Sequence, residues 1–182
     1  MTHILTLTMN PAIDVSASVE RVEPTRKLRC GGGRRDAGGG GVNVARVARR
    51  LGAEATAVYP AGGFVGQLLT ELVQADDVVG LPVPVRQETR EDFTALETST
   101  GDQYRFVLPG PRLSGAEWMA CLKAFAAIEK RPDLVVVSGS LPPGCPDDFY
   151  CRSARSCAAG RSPWRWTPPA RSCARRWPSG PF

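Results

Sequence analysis

The chain has 182 residues, of which 42% are hydrophobic and 23% are charged, and its formal net charge is +5. This length and composition are those of one globular domain, and they argue against a disordered chain. No apolar run approaches the roughly 18 residues of a membrane span, and the N-terminus lacks the pattern of a secretory signal. We therefore expect a cytoplasmic protein without a membrane partner.

The positive charge is concentrated in residues 151–182. This segment contains seven of the 23 basic residues, all of them Arg, and it has no Ile, Leu, Val, Asp, Glu or Lys. Residues 1–150 alone therefore carry a net charge of −2. Because a nucleic-acid-binding domain spreads positive charge over a folded face, we expect no nucleic-acid partner.

Residues 151–182 are predicted to form an unstructured tail rich in Arg, Trp, Pro and Cys. The segment shows neither a helical nor a strand period, and five prolines interrupt it. A basic arm that binds RNA or a membrane would have this composition. GC-rich codons read out of frame give the same residue types, and we favour this interpretation, with the shift shortly after Tyr150.

Strands alternate with helices in the first half of the chain. The pattern predicts, in order, a strand over residues 4–9, a glycine-dense stretch over 31–41, a helix over 44–51, a strand over 55–59 and a helix over 65–73. Gly52 directly follows the predicted helix over residues 44–51, at the position where glycine commonly caps a helix C-terminus.

The second half of the domain adds a hairpin, a helix and a strand. Residues 93–97 and 103–108 form the predicted hairpin, and Ser114 with Glu117 forms a capping box at a helix start. Residues 134–137 are an apolar run typical of a buried parallel strand. The order predicts an α/β layered fold with a mostly parallel sheet, and a small β flap, or lid, over the carboxyl edge where ligands bind.

The glycine-dense stretch before the first helix is a candidate binding turn. Glycines let backbone N–H groups approach a ligand, and a helix N-terminus favours anions. Asn43 stands where a dinucleotide fingerprint needs glycine, and the chain contains no Gly-Lys pair, which excludes a P-loop. The turn could instead hold a polyol, with the Asn43 amide donating and accepting hydrogen bonds; a flexible linker is the alternative.

Charged residues near the predicted edge are further candidates. Asp14 follows the first strand, where a carboxylate can accept hydrogen bonds from two neighbouring sugar hydroxyls or can cap a turn. Lys27, Arg90 and Arg105 stand in polar contexts, and the last two flank or lie on the hairpin. Arginines on a lid could clamp a phosphate, because the guanidinium presents a planar fork of donors.

Several ordered motifs together resemble the ribokinase (PfkB) family of carbohydrate kinases, and within it the minor-type 6-phosphofructokinase branch. The resemblance covers residues 1–150 and rests on residues 6–14, 27–30, 38–46, 60–63, 89–90, 103–107 and 138–144. It implies a ribokinase-like fold whose lid comprises about residues 12–32 and 86–108. It also implies a homodimer formed through the lids.

The resemblance implies ATP-dependent phosphorylation of fructose 6-phosphate to fructose 1,6-bisphosphate, a step of glycolysis. Asp14, the turn glycines Gly39 and Gly40, and Asn43 would then hold the sugar, with Ser140 of the turn at residues 138–144 also at the substrate. Arg90 and Arg105 would face the sugar phosphate from the lid. Lys27 would reach the sugar phosphate of a neighbouring subunit.

One part of the family pattern has no counterpart in this sequence. The resemblance implies MgATP as co-substrate and a Gly-Ala-Gly-Asp turn that supplies the catalytic aspartate, but no Gly-x-Gly-Asp follows residue 144. We therefore expect the C-terminal half of the fold to be missing, no catalytic or metal-binding residue in this chain, and no turnover by the chain as written. The alternatives are a non-catalytic remnant that binds sugar phosphate or dimerises, and specificity for fructose 1-phosphate or tagatose 6-phosphate.

Overall fold

The structure, a computed structural model, describes residues 1–158, and it describes side chains through Ser153. The order of elements is β1 (His3–Leu7), β2 (Ala12–Val19), β3 (Gly31–Gly38), α1 (Gly40–Arg50), β4 (Glu54–Ala61), α2 (Gly63–Ala75), β5 (Val79–Pro84), β6 (Arg90–Glu97), β7 (Gln103–Phe106), α3 (Gly115–Ala126), β8 (Leu134–Val137) and α4 (Phe149–Ala158). Strands alternate with helices, and this confirms the predicted α/β class.

The main sheet is parallel throughout and has the order β5-β4-β1-β8. The chain runs from β1 outward to β4 and β5 on one side, and it then returns to place β8 on the other side of β1. The order therefore reverses between β1 and β8. In open α/β sheets the ligand crevice forms at such a reversal, outside the carboxyl ends of the strands.

Apolar side chains cover both faces of this sheet. Alternate residues of β4 divide between the two cores, with Val58 in one core and Ala57 and Tyr59 in the other. The first core includes Phe125 of α3, and the second includes Val42 of α1. Because burial on both faces removes apolar area from water, it stabilises the three layers.

The lid is a second four-stranded sheet with the order β3-β2-β6-β7. Strands β2 and β6 are parallel, whereas β3 and β7 pair antiparallel at the edges. The hairpin of β6 and β7 agrees with the sequence pattern. The other two strands do not show in that pattern, and β3 continues through the first glycines to Gly38, beyond the expected lid boundary at residue 32.

Two helices, α3 and α4, pack on the first core, and the sequence predicts only the first of them. Helix α3 begins at the predicted capping box: the Ser114 hydroxyl accepts from Glu117 N, and the Glu117 carboxylate accepts from Ser114 N at 2.7 Å. Helix α4, by contrast, extends from Phe149 into the segment for which the composition predicts no element.

Helix α4 forms because its first turn is buried. Phe149 and Tyr150 are almost fully buried, and the Phe149 ring packs edge-on against Trp118 at 6.0 Å between centroids. Residues 151–158 continue this helix, and the rest of the expected tail lies outside the described residues. The reading-frame hypothesis stays a prediction. None of the helices in residues 1–158 is long and apolar enough to cross a membrane.

Candidate functional site

The glycine turn at residues 38–41 lies against the carboxyl ends of β1 and β8. A Cβ on Gly40 would stand 2.5 Å from Ser138 Oγ and 2.9 Å from the backbone N of Gly139. A Cβ on Gly41 would stand 2.5 Å from Thr8 Oγ1. Real Cβ atoms do not approach this closely, so glycine is required if the turn is to lie in the crevice between β1 and β8.

Gly39 supplies the change of direction that starts α1. Its φ of 112° is a conformation that L side chains rarely adopt. Thr8 assists on the other side, because its Oγ1 accepts from Val42 N at 3.0 Å in a buried bond. The first turn of α1 is thereby held over the end of β1, with the Asn43 N–H bonded to Gly39 O at 2.9 Å.

Asp14 stands in a row of three carboxylates that crosses the lid sheet. The pairing registers place it opposite Asp36 of β3 and opposite Asp92 of β6. Asp36 pairs with Arg34 at 2.7 Å, and Asp92 pairs with Arg90 at 3.1 Å. Among the side chains of residues 1–153, no cation forms an ion pair with Asp14. Asp14 is therefore the carboxylate in the row that is left for a ligand.

The environment of Asp14 disfavours its charged form. Partial burial is the main cause that raises the pKa of the Asp14 carboxyl above 3.8, and the charge of Asp92 raises it further. Arg105 and Arg90 act in the opposite direction. Hydrogen-bond donors from a polyol would replace the hydration that the Asp14 carboxylate loses in this partly buried position.

Arg90 is largely occupied by the protein. Its Nη1 donates to Leu108 O at 2.8 Å and to Asp92 Oδ1 at 3.2 Å, and its Nη2 donates to Asn10 O at 3.3 Å. The side chain is 11% exposed, and Nε has no hydrogen-bond partner within the described residues. Arg90 thus ties the lid to the loop after β1, with few donors left for a phosphate.

Arg105 and Lys27 are the exposed cations among the candidates. Arg105 lies on β7 opposite Thr94, and Thr94 is two residues along β6 from Asp92, the residue opposite Asp14. The charge of Arg105 lowers the pKa of Asp14. Lys27 lies in the loop between β2 and β3, and it has no hydrogen bond or ion pair with residues 1–153. The structure does not bring Lys27 into contact with the other candidates.

Asn43 is exposed on the first turn of α1, and Arg46 holds its side chain. Arg46 Nη1 lies 3.3 Å from Asn43 Oδ1 and 2.9 Å from Ala37 O. Arg46 also pairs with Asp76 at 2.6 Å and with Asp36 at 3.5 Å. With its oxygen engaged by Arg46, the Asn43 amide has its NH₂ group left as a donor. The spacing of three residues between Asn43 and Arg46 is the signal that could have identified this pair.

Ser140 lies in the turn after β8, at the crevice. The Tyr150 hydroxyl donates to Gly139 O, which fixes the turn from the side of α4. Burial raises the pKa of Tyr150 to about 12, so this hydroxyl stays protonated and remains a donor. On the opposite side, Asn10 Nδ2 donates to Ser140 Oγ at 3.0 Å. Neither Tyr150 nor Asn10 was a candidate on sequence grounds.

The structure thus assembles most of the predicted site at one place. The glycine turn contacts the turn after β8, the Asp14 carboxyl lies over Gly38, and Asn10 contacts both Ser140 and Arg90. The arrangement offers an unpaired carboxylate, an amide and a hydroxyl beside the glycine turn, with Arg105 on the lid. Such groups suit a polyhydroxylated anion.

The close approach at Gly40 makes a testable prediction. Gly40→Ala forces the new methyl group against Ser138 Oγ and Gly139 N, and we expect a loss of about 1–3 kcal/mol in unfolding free energy, as for overpacked sites. Gly33→Ala on β3 is the matched control, because a Cβ there meets nothing within 4 Å. Urea unfolding of both variants measures the difference, and equal stability would contradict the proposed packing.

The comparisons with known proteins agree with this geometry. A family model for the pfkB family of carbohydrate kinases matches residues 5–176, which extends past the change in composition at residue 150. The chain is 49% identical over 161 residues to an ATP-dependent 6-phosphofructokinase isozyme 2 of Mycobacterium tuberculosis, and the match covers 88% of this chain and 48% of that protein. The chain thus spans about half the length of the curated relatives that it matches.

Solved structures show the same fold. Phosphofructokinase-2 from Escherichia coli in complex with fructose-6-phosphate superimposes with a TM-score of 0.82 at 36% identity, covering 91% of this chain and 54% of that chain. The tetrameric inhibited form of the same enzyme gives a TM-score of 0.84 at 34% identity, covering 91% and 54%. The expected ribokinase-like architecture and family are confirmed, and the chain belongs to the pfkB family of carbohydrate kinases.

Proposed function

We propose that residues 1–150 form the sugar-phosphate half of a 6-phosphofructokinase site, and that the ligand is fructose 6-phosphate. The observation that carries the proposal is the half-buried carboxylate of Asp14, which lies against the glycine turn and forms no ion pair with the described side chains. The relatives named 6-phosphofructokinase and the neighbour solved with fructose-6-phosphate support the choice of ligand.

The crevice would bind the sugar hydroxyls. Asp14 accepts hydrogen bonds from neighbouring hydroxyls, while Asn43 and Ser140 donate or accept according to the group they face. Gly39 and Gly40 let the turn pack against Thr8 and the Ser138–Gly139 backbone, because a Cβ at either position would clash there. This packing would hold the backbone of the turn beside the ligand. Binding these hydroxyls offsets the cost of the partly desolvated Asp14 carboxylate.

The phosphate would lie toward the lid. Arg105 is the exposed cation at that end, and its planar guanidinium can engage phosphate oxygens bidentately. Arg90 contributes its positive charge and the donors that its protein contacts leave over. The role of Lys27 at a neighbouring subunit's phosphate stays part of the proposal, and it requires a second copy because the structure places Lys27 apart from this crevice.

The described residues do not fit the co-substrate. The sequence contains no Gly-x-Gly-Asp turn, the element that the resemblance implies as the source of the catalytic aspartate. Phosphoryl transfer needs a base for the attacking hydroxyl and neutralisation of the γ-phosphate charge. We therefore derive no transfer step from these residues; the use of MgATP by a whole enzyme, in the cytoplasm, rests on the family.

Isothermal titration of the 182-residue chain tests the proposal. We expect fructose 6-phosphate to bind more tightly than fructose 1-phosphate, and Arg105→Gln to weaken binding about 10-fold or more, because a charge-assisted hydrogen bond is lost. Arg35→Gln, which removes a lid cation paired with Glu91 at 4.0 Å, is the control and should bind as the parent does.

The result also separates the alternatives. Tighter binding of fructose 1-phosphate or tagatose 6-phosphate would favour one of those specificities. The absence of heat with every hexose phosphate would overturn the proposed half-site.

The raised pKa of Asp14 makes the binding pH-dependent. Only the carboxylate accepts hydrogen bonds from two hydroxyls, so affinity should be full above its pKa and should fall as pH decreases through it, with a midpoint above 3.8. Because folding raises this pKa, protonation of Asp14 stabilises the folded state. The loss of affinity at low pH is therefore not explained by unfolding that protonation of Asp14 would cause.

The matched variant for this prediction is Asp14→Asn, which cannot titrate. The ligand phosphate titrates identically with both proteins, so the difference between the two pH profiles isolates the carboxylate. Parallel profiles would show that Asp14 is not part of the site.

We propose further that lids of two chains pair into a homodimer. One face of the lid exposes Phe93, Tyr104 and Phe106, and the Phe93 and Phe106 rings stack at 6.2 Å between centroids. Exposed apolar clusters of this kind mark interaction surfaces. The E. coli neighbour is described as tetrameric in its inhibited form, which supports self-association through some surface.

Sedimentation velocity tests the lid interface. Phe106→Asp should convert dimers to monomers, because a buried charge would oppose pairing. Phe64→Asp on α2 is the control, since Phe64 is 83% exposed and lies outside the lid. Dissociation by the Phe64 substitution alone would place the interface elsewhere.

A further inference from the structure

The loop after β1 buries a polar side chain that the sequence analysis did not include among the candidates. Asn10 is 6% exposed, and it stands between three segments that meet at the crevice. Its Nδ2 donates to Ser140 Oγ at 3.0 Å, and its backbone O accepts from Arg90 Nη2 at 3.3 Å. Asn10 therefore joins two groups of the proposed site, one after β8 and one on the lid.

The other end of the Asn10 amide lacks a partner. Oδ1 is buried and accepts no hydrogen bond within the described residues. It faces the Gly110 backbone so closely that a Cβ on Gly110 would stand 1.9 Å from it. A buried polar atom without a partner costs stability, so an apolar side chain of similar size would be favoured here if packing alone mattered.

The hydrogen bond from Asn10 to Ser140 determines how the Ser140 hydroxyl can be used. A hydroxyl has one proton to donate and two lone pairs that accept. Because Asn10 Nδ2 already donates to Ser140 Oγ, the hydroxyl proton is not used in this contact. Ser140 is exposed at the crevice, so its proton is available to an oxygen of the bound sugar phosphate.

We propose that Asn10 is a positioning residue for sugar-phosphate binding: by donating to Ser140 Oγ it aims the Ser140 hydroxyl proton at the ligand. This inference rests on the proposed function. It also explains the use of an amide in a buried position where one of its two polar atoms has no partner.

A double-mutant cycle measured by isothermal titration with fructose 6-phosphate tests the proposal in the full chain. Asn10→Ala and Ser140→Ala should each weaken binding about 5- to 10-fold, the equivalent of one hydrogen bond. Since Asn10 acts through Ser140, the double variant should bind about as weakly as Ser140→Ala alone. Independent effects would multiply to about 25- to 100-fold.

A second cycle separates positioning from a general loosening of the crevice. Asn10→Ala leaves the backbone O that Arg90 contacts. Within the described residues Asn10 has no hydrogen bond to Arg105, so the effects of Asn10→Ala and Arg105→Gln should multiply. Coupling to both Ser140 and Arg105 would indicate a structural role only, and it would overturn the proposal. Binding by Asn10→Ala that matches the parent would overturn it as well.

Asn10→Asp supplies an independent variant. It replaces the donor by a carboxylate oxygen, which takes the Ser140 proton away from the ligand, so binding should weaken at least as much as in Ser140→Ala. Gln74→Glu, an exposed site on α2, controls for the added charge. If the parent chain itself binds no fructose 6-phosphate, the proposed function fails. If the parent chain binds it and both Asn10 variants bind it as tightly as the parent does, only the inference about Asn10 fails.

Discussion

The packing of a glycine turn into the gap between two parallel strands is the constraint on which the candidate site depends. Gly40 lies against the Ser138–Gly139 backbone, and Gly41 lies against Thr8 at the end of β1. No side chain fits in either place, so the start of α1 approaches both strands at the point where the strand order reverses. This contact places Asn43 on the first turn of α1 and Ser140 in the turn after β8 on the same side of the sheet.

Electrostatics then decides which groups are left for a ligand. Two of the three carboxylates that cross the lid are paired with arginines, and Asp14 between them is not. Arg90, which the sequence suggested as a phosphate ligand, donates most of its hydrogen bonds to Asp92 and Leu108 of the lid region and to the backbone O of Asn10. Arg105 on the exposed strand β7 is consequently the freer cation, although the sequence gives the two arginines equal standing.

Sequence reasoning succeeded where a local pattern carries the information. The period of α1, the capping box at Ser114 and the apolar run of β8 all appear as predicted. It did not identify β3, because the glycines and the aspartate in its sequence are unusual in strands and pairing with β2 overrides that preference. The contacts of Asn10 with Ser140 and of Arg46 with Asp76 join segments distant in sequence, and Tyr150 lies on an element that composition did not predict. Only tertiary packing reveals these contacts.

Hydrogen–deuterium exchange with and without fructose 6-phosphate tests the central claim most directly. If the turn at residues 38–43 and the turn at 138–140 form one binding wall, the ligand should slow amide exchange in both segments together. Exchange in the solvent-facing half of α2 should stay unchanged. Protection of one turn without the other, or protection confined to regions outside the crevice, would contradict the account.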